Sequence, residues 1–226
     1  MNNILQWNKI YCYIRFAHIS PALGFCENEF SRILAWRYNY NMLYTRKGDS
    51  GTTKVFDSKS GERISKSSCQ TESLGALDEL NSFLGLVKVK SSGIKWSVNE
   101  KKIDDIVNWV QNCLFIIQAE VAGSDKKING DKINEMELLV DLIEKEMPPI
   151  KTFFISGGTE LTALMDISRT LARKAERRVI EASEKGSVSV GGPTLAFLNR
   201  LSSLLYALAR FINFKTGVHE EAPWYN

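Results

Sequence analysis

From residue 72 onward, apolar positions recur every three or four residues, which is the spacing of one helix face. In ESLGALDELNSFLGLVKV, Leu74, Leu77, Leu80, Phe83, Leu84 and Val87 make a single stripe. In EKKIDDIVNWVQNCLFIIQAEVAG, Ile103, Ile106, Val107, Val110, Leu114 and Ile117 repeat it, and Gly123 supplies a C-terminal stop. Ile133, Met136, Leu139, Val140 and Ile143 mark a third helix over 131–147. Pro148 and Pro149 end it, because proline cannot continue the hydrogen-bond ladder. A fourth helix is predicted over 159–185. A fifth opens at Pro193, a residue suited to a first turn, and reaches about Lys215. Five long helices with almost no strand predict an all-α fold, a five-helix antiparallel bundle.

The two segments before residue 72 read differently. Over 44–71, Gly48, Gly51 and Gly61 are interspersed with Ser, Thr, Asp and Lys, and the short apolar KVF at 54–56 is the only strand signal in this loop-like stretch. Residues 1–43 carry Lys9, Arg15, Arg32 and Arg37 among aromatic and aliphatic residues, with no acid before Glu27. An acid-poor, amphipathic start fits an organelle transit peptide, with a plain extension as the competing reading. The expected organisation is an N-terminal extension over 1–43, a helical-bundle domain over 44–215 and a tail over 216–226.

Composition narrows the function. With 226 residues, 44% of them hydrophobic, the chain can bury a substantial core. Its net charge of +3 is too small to suggest a nucleic-acid partner. No run of about 18 apolar residues predicts a membrane span. Cys12, Cys26, Cys69 and Cys113 are scattered, which favours isolated reduced thiols over a zinc site or disulfide frame, and no metal site is expected. The stretch TRKGDSGTT contains GDSG, familiar around serine nucleophiles. A triad of that kind needs a histidine base ahead of the serine, and only His18 precedes Ser50. GDSGTT also lacks the spacing of a P-loop.

Helix four carries the strongest chemical signal, ISRTLARKAERRVI. At about 100° per residue, Arg169, Arg173 and Glu176 fall within about 60° of one another, flanked by Asp166 and Arg177. Leu164, Ile167, Leu171 and Ala175 are expected opposite them, as the core stripe. Neighbouring arginines repel unless an acid or phosphate lies between them, and a guanidinium suits phosphate oxygens. A solvated charged face is the alternative. On helix five, Asn199, Ser203, Tyr206 and Arg210 form a polar stripe, with Leu198, Leu201, Leu205 and Leu208 placed for the core. A ligand, water or another subunit would each account for that stripe. Asp78 and Glu79 lie early in helix one, where a carboxylate favours the helix dipole or pairs with an arginine of helix four. The glycines, threonines and lysines of TRKGDSGTTK, with Lys66 further on, have the composition of a phosphate cradle.

Together TRKGDSGTT, ESLGALDELNSFLG, FFISGGTE, SRTLARKAERRV and FLNRLSSLL, in this order across about 44–213, resemble the ATP:cob(I)alamin adenosyltransferases of the propanediol-utilisation type, a family that includes the human mitochondrial enzyme. The resemblance implies a ferritin-like bundle assembling as a homotrimer, with sites between subunits. It also implies transfer of the 5′-deoxyadenosyl group of ATP to Co(I), with Mg²⁺ assisting and cobalamin as substrate. Thr45, Arg46, Lys47, Gly48, Thr53, Lys54 and Lys66 match the ATP-binding loop and a triphosphate lysine. Arg173, Lys174, Glu176, Arg177 and Asn199 match further ATP contacts. Asp78 and Arg169 match an ion pair that shapes the site, and Phe153 matches the aromatic that displaces the lower axial ligand of the corrin. Three positions depart from the family: Ser156 where it has proline, which would loosen a turn, and, near the expected corrin, Asp166 where it commonly has histidine and Ser203 where it has aspartate. A cobalamin reductase and an adenosylcobalamin-dependent enzyme are implied partners. Localisation is mitochondrial if 1–43 is a transit peptide, and cytoplasmic otherwise.

Overall fold

The computed structural model describes residues 45–56 and 62–225, so the expected transit peptide lies outside the described residues. The chain divides into two compact units, residues 1–46 and 47–226, and everything below except Thr45 and Arg46 concerns the second.

The glycine-rich loop is closed by a short antiparallel pair, β1 (Thr52–Thr53) with β2 (Ile64–Ser65). The strand falls ahead of KVF, and Phe56 is exposed. Pairing chose the register: Arg63 donates from Nε to Thr52 Oγ1 at 2.9 Å and from its terminal nitrogen to the Thr52 carbonyl at 2.8 Å. Helix α1 (Cys69–Ser91) follows, capped by the Ser68 hydroxyl, which accepts from the Thr71 amide. A second hairpin, β3 (Ser97–Val98) with β4 (Lys101–Lys102), turns at Asn99 and Glu100, both at positive φ. It ends directly before α2 (Ile103–Val121), which begins at the first residue of its predicted apolar stripe.

Helices α3 (Gly130–Lys145), α4 (Glu160–Glu184) and α5 (Gly192–Thr216) complete the bundle. Cross-links between side chains fix their directions. Gln70 meets Val121 and Gln111 meets Asn81, so α1 and α2 are antiparallel. Glu79 pairs with Lys174 and Lys90 with Glu160, so α4 runs against α1. Glu176 meets Asn199 while Arg169 lies over Tyr206, so α5 runs against α4. Glu137 pairs with Arg200 and Glu146 with Lys215, which makes α3 and α5 parallel, as two odd-numbered helices of an up-and-down bundle must be. The crossover 146–159 therefore stays at one end of the bundle, passing from the end of α3 to the start of α4.

The core is built from the predicted stripes of α1, α2, α3 and α5. Leu77, Leu80, Leu84, Ile106, Ile117, Met136, Ile143, Leu198, Leu201 and Leu208 are all fully buried. Each such side chain contributes roughly 1.5–3 kcal/mol relative to exposure. In α4 the predicted stripe is corrected at Ile167, whereas Ala175 is buried and Leu164 and Leu171 pack half-buried against the core as expected. Ile167 is 45% exposed, and the buried line is Leu161, Met165, Ser168, Ala172, Ala175, Val179 and Ala182. This helix packs between α1 and α5, and small side chains let both neighbours approach. Helix α5 is long and apolar enough to cross a membrane, yet most of it is buried between α3 and α4, so packing accounts for its apolarity.

Candidate functional site

A cavity of about 600 Å³ opens at the crossover end, walled by residues 150–157, α4, α5 and the C-terminal tail. Asp166, Arg169 and Arg173 reach it from α4, and Ser203, Tyr206 and Arg210 from α5. The two polar stripes legible in the sequence thus face one space. Phe153 stands at the rim, 79% exposed.

The wall is tied together by hydrogen bonds. Asp166 accepts from the Gly157 amide at 2.9 Å, and Asn213 donates to the Gly157 carbonyl at 3.0 Å. Gly157 and Gly158 have φ of +117° and +126°, and a Cβ on Gly158 would lie 2.4 Å from Asn213 Oδ1. Glycine is required there both for its backbone conformation and for space. The Asp166 carboxylate, which the sequence places near the corrin as an extra negative charge, is instead committed within the wall. It binds Gly157 and lies 3.6 Å from Arg169 Nε. Burial pushes the Tyr206 phenol up from its ordinary pKa, so the hydroxyl lining the cavity stays protonated at neutral pH.

Arg169 does not meet Asp78 within the chain. Asp78 is exposed and lines a separate shallow groove between α1 and α2 with Leu74, Gly75 and Phe115. At 3.6 Å the Asp166 contact is too long for a hydrogen bond, and the buried Arg169 Nε has no acceptor among the described residues. Both members of the expected pair are left incompletely satisfied.

Further along α4, toward the start of α1, Glu176 accepts from Asn199 at 2.9 Å and Lys174 holds Glu79 at 2.5 Å. Arg173 and Arg177 have no ion-pair partner among the described residues, although both are exposed. In the loop, Lys47, Lys54 and Lys66 are exposed and likewise unpaired among the described residues. The loop geometry brings two of its members together. The Lys66 amide donates to Gly51 at 2.9 Å, and a Cβ on Gly48 would sit 3.0 Å from Lys66 Nζ. Gly48 thereby leaves room for the ammonium over the turn. Thr53 lies in β1, directly opposite Ile64. Arg46 adopts φ of +58°, and Thr45 precedes it in the other unit.

Among the described residues Ser50 bonds only the Thr52 hydroxyl, at 3.3 Å, and no base there activates it. No cluster of potential metal ligands occurs among the described residues. The sequence reading did not assign Arg210, Asn213, Glu120 or the tail residue Glu220 to the site or its support. Arg210 was visible as the end of the α5 polar stripe; the partners of all four come from remote segments.

The family model for cobalamin adenosyltransferase matches residues 43–212. The corrinoid adenosyltransferase of Bacillus subtilis is 33% identical over 183 residues, covering 78% of this chain and 89% of that protein. The corrinoid adenosyltransferase PduO of Citrobacter freundii is 34% identical over 168 residues, and there the chain spans only 49% of the relative's length. The human corrinoid adenosyltransferase is 30% identical over 184 residues, covering 79% of this chain and 72% of that one. Among solved structures, a variant of the PduO-type ATP:corrinoid adenosyltransferase from Lactobacillus reuteri, complexed with cobalamin and ATP, superposes with a TM-score of 0.70 at 24% identity. It covers 80% of this chain and 96% of that chain, a likeness of fold.

Proposed function

The chain belongs to the cobalamin adenosyltransferase family, and from that membership and the site's geometry we propose that it transfers the 5′-deoxyadenosyl group of ATP to Co(I) of cobalamin. One observation carries the proposal. Arg173 lines the cavity and also begins the run of unpaired cations on α4, so a phosphate chain bound there lies beside whatever fills the cavity. In the reaction the Co(I) electron pair attacks C5′. A Co–C bond forms, the C5′–O bond breaks, and the triphosphate leaves with that bond's electrons. The nucleophile belongs to the substrate. What the chain supplies is position and positive charge for the leaving group.

Arg173, Arg177, Lys47, Lys54 and Lys66 are suited to the triphosphate, with Mg²⁺ accompanying it through the phosphate oxygens. Glu176 and Asn199 are suited to the nucleoside, and Phe153 to the lower face of the corrin. Homotrimeric assembly completes this reading. Among the described residues an exposed Asp78 has no ion-pair partner and Arg169 Nε has no acceptor, and a neighbouring copy can satisfy both. The acid-poor 1–43 supports mitochondrial targeting, testable with a reporter fusion to that segment. An anaerobic mixture of protein, cob(I)alamin, ATP and Mg²⁺, followed by absorbance and by triphosphate release, is expected to yield adenosylcobalamin. Failure to form it while both ligands bind would replace the enzyme with a carrier.

A further inference from the structure

Phe153 sits in a segment with no regular structure, so something else must fix its backbone. On the α4 side, Gly157 is held by Asp166 and Asn213. Nearer to Phe153 the supports come from the C-terminal tail and from one buried arginine. The Ile155 amide donates to the Glu221 carbonyl at 2.8 Å. The Arg210 guanidinium lies 5.1 Å from the Phe154 ring centre, and its Nε donates to Glu220 Oε2 at 2.9 Å. The side chains of this ion pair are only 9% and 17% exposed.

The tail reaches this position because α5 ends in a reversal. Gly217 adopts φ of +71°, its amide bonds Phe214, and the Val218 amide returns to Asn213 at 2.9 Å. The chain then folds back onto the crossover, and Glu220 itself lines the cavity. A guanidinium this buried is costly unless a carboxylate neutralises it. Glu220 is its ion-pair partner among the described residues. Arg210 can therefore rest against Phe154 only while the tail is docked.

We propose that Arg210 and Glu220 are positioning residues that hold Phe153 against the corrin, with the tail acting as a clamp on the crossover. The inference rests on the adenosyltransferase reading above. Residues 218–221 thus belong to the site, in contrast to their reading as a plain tail. The clamp acts on the axial-ligand step and leaves ATP binding alone: Arg173 shares the cavity but forms no ion pair with Glu220, and the other unpaired cations lie further along α4 and in the loop.

Four variants test it with ATP and cob(II)alamin: Glu220→Gln, the exchange Arg210→Glu with Glu220→Arg, and two truncations, ending at Glu221 and at Val218. The readouts are the four-coordinate cob(II)alamin signal by electron paramagnetic resonance, the ATP dissociation constant, and hydrogen exchange at 153–157. Glu220→Gln and the Val218 truncation are expected to lower the four-coordinate fraction by about tenfold and speed exchange at 153–157, as loss of a buried carboxylate from its arginine should. ATP affinity is expected to stay within about twofold, because distant sites act independently. The Glu221 truncation keeps both contacts and should behave as wild type, and the exchanged pair should recover part of the signal. An unchanged four-coordinate fraction in Glu220→Gln overturns the clamp. So does a loss shared equally with ATP affinity and melting temperature, which would mark a merely structural pair. Wild-type protein that binds no cob(II)alamin removes the underlying functional reading, whereas binding with an indifferent Glu220 removes the clamp alone.

Discussion

The two ends of the candidate site are built on opposite plans. At the crossover end the charged and amide groups are mostly paired within the wall: Asp166 with Gly157, Arg210 with Glu220, Asn213 with the Gly157 carbonyl, while Arg169 Nε and Asn213 Oδ1 have no partner among the described residues. Toward the glycine-rich loop, Arg173, Arg177, Lys47, Lys54 and Lys66 stand exposed without counter-charges among the described residues. The difference follows from what each end has to receive. On the proposed reading this end receives a large, rigid corrin, which is held best by a wall whose shape is fixed beforehand, and there the protein pairs most of its own polar groups. A polyanion brings its own charge, and cations already neutralised internally would have little to offer it.

Removing one waiting cation should give the largest effect. Arg173→Ala is expected to cost about 1.5–3 kcal/mol of phosphate interaction, roughly 10- to 150-fold in turnover, with little change in melting temperature. Steady-state kinetics beside a thermal melt checks both halves. The pre-built end should show the reverse pattern. Gly158→Ala forces a side chain into positive φ and against Asn213 Oδ1, at a cost of roughly 2–4 kcal/mol in stability measured by urea unfolding. Adding Asn213→Ala should relieve the collision and leave the backbone strain, which separates the two contributions.

Glu120 offers a third contrast. Buried on α2, it accepts from the Gly191 amide at 2.8 Å and the Thr194 hydroxyl at 2.5 Å, capping α5 where Gly191 has no side chain to do so. Glu120→Ala should destabilise by about 1–3 kcal/mol, because a buried hydroxyl and a half-buried amide lose their acceptor, and Glu120→Gln should cost less. Cys113 gives a pH test of the core. Burial raises its thiol to about 11, so folding favours the protonated form. The stability it contributes is fully present below the unfolded thiol pKa and is lost as pH rises from there toward 11. Unfolding curves across that window should flatten in Cys113→Ala. The smallest effect belongs to an exposed ion pair: Glu79→Gln, which frees Lys174, should change stability by under about 0.5 kcal/mol.

Periodicity alone determined the five helices, the leucine faces of α1 and α5, and the two polar stripes, because those patterns recur within one or two turns; that the stripes face one cavity was decided by packing. Periodicity misassigned Ile167 and missed Ser168, Ala172 and Ala182 on the core side of α4, because small residues signal burial weakly and their burial comes from close packing against α1 and α5 at once. The motifs identified the family, whose model covers 43–212. Which arginine of a charged stripe is neutralised was settled only by packing. Arg169 lies beside Asp166, Arg210 takes Glu220 and Arg173 takes neither, although all three look alike in the sequence. The cap from Glu120 to Thr194 joins residues 74 apart, and the bond from Asn213 to Gly157 joins residues 56 apart. Such partnerships depend on helices being brought side by side, and local sequence spacing carries no record of that.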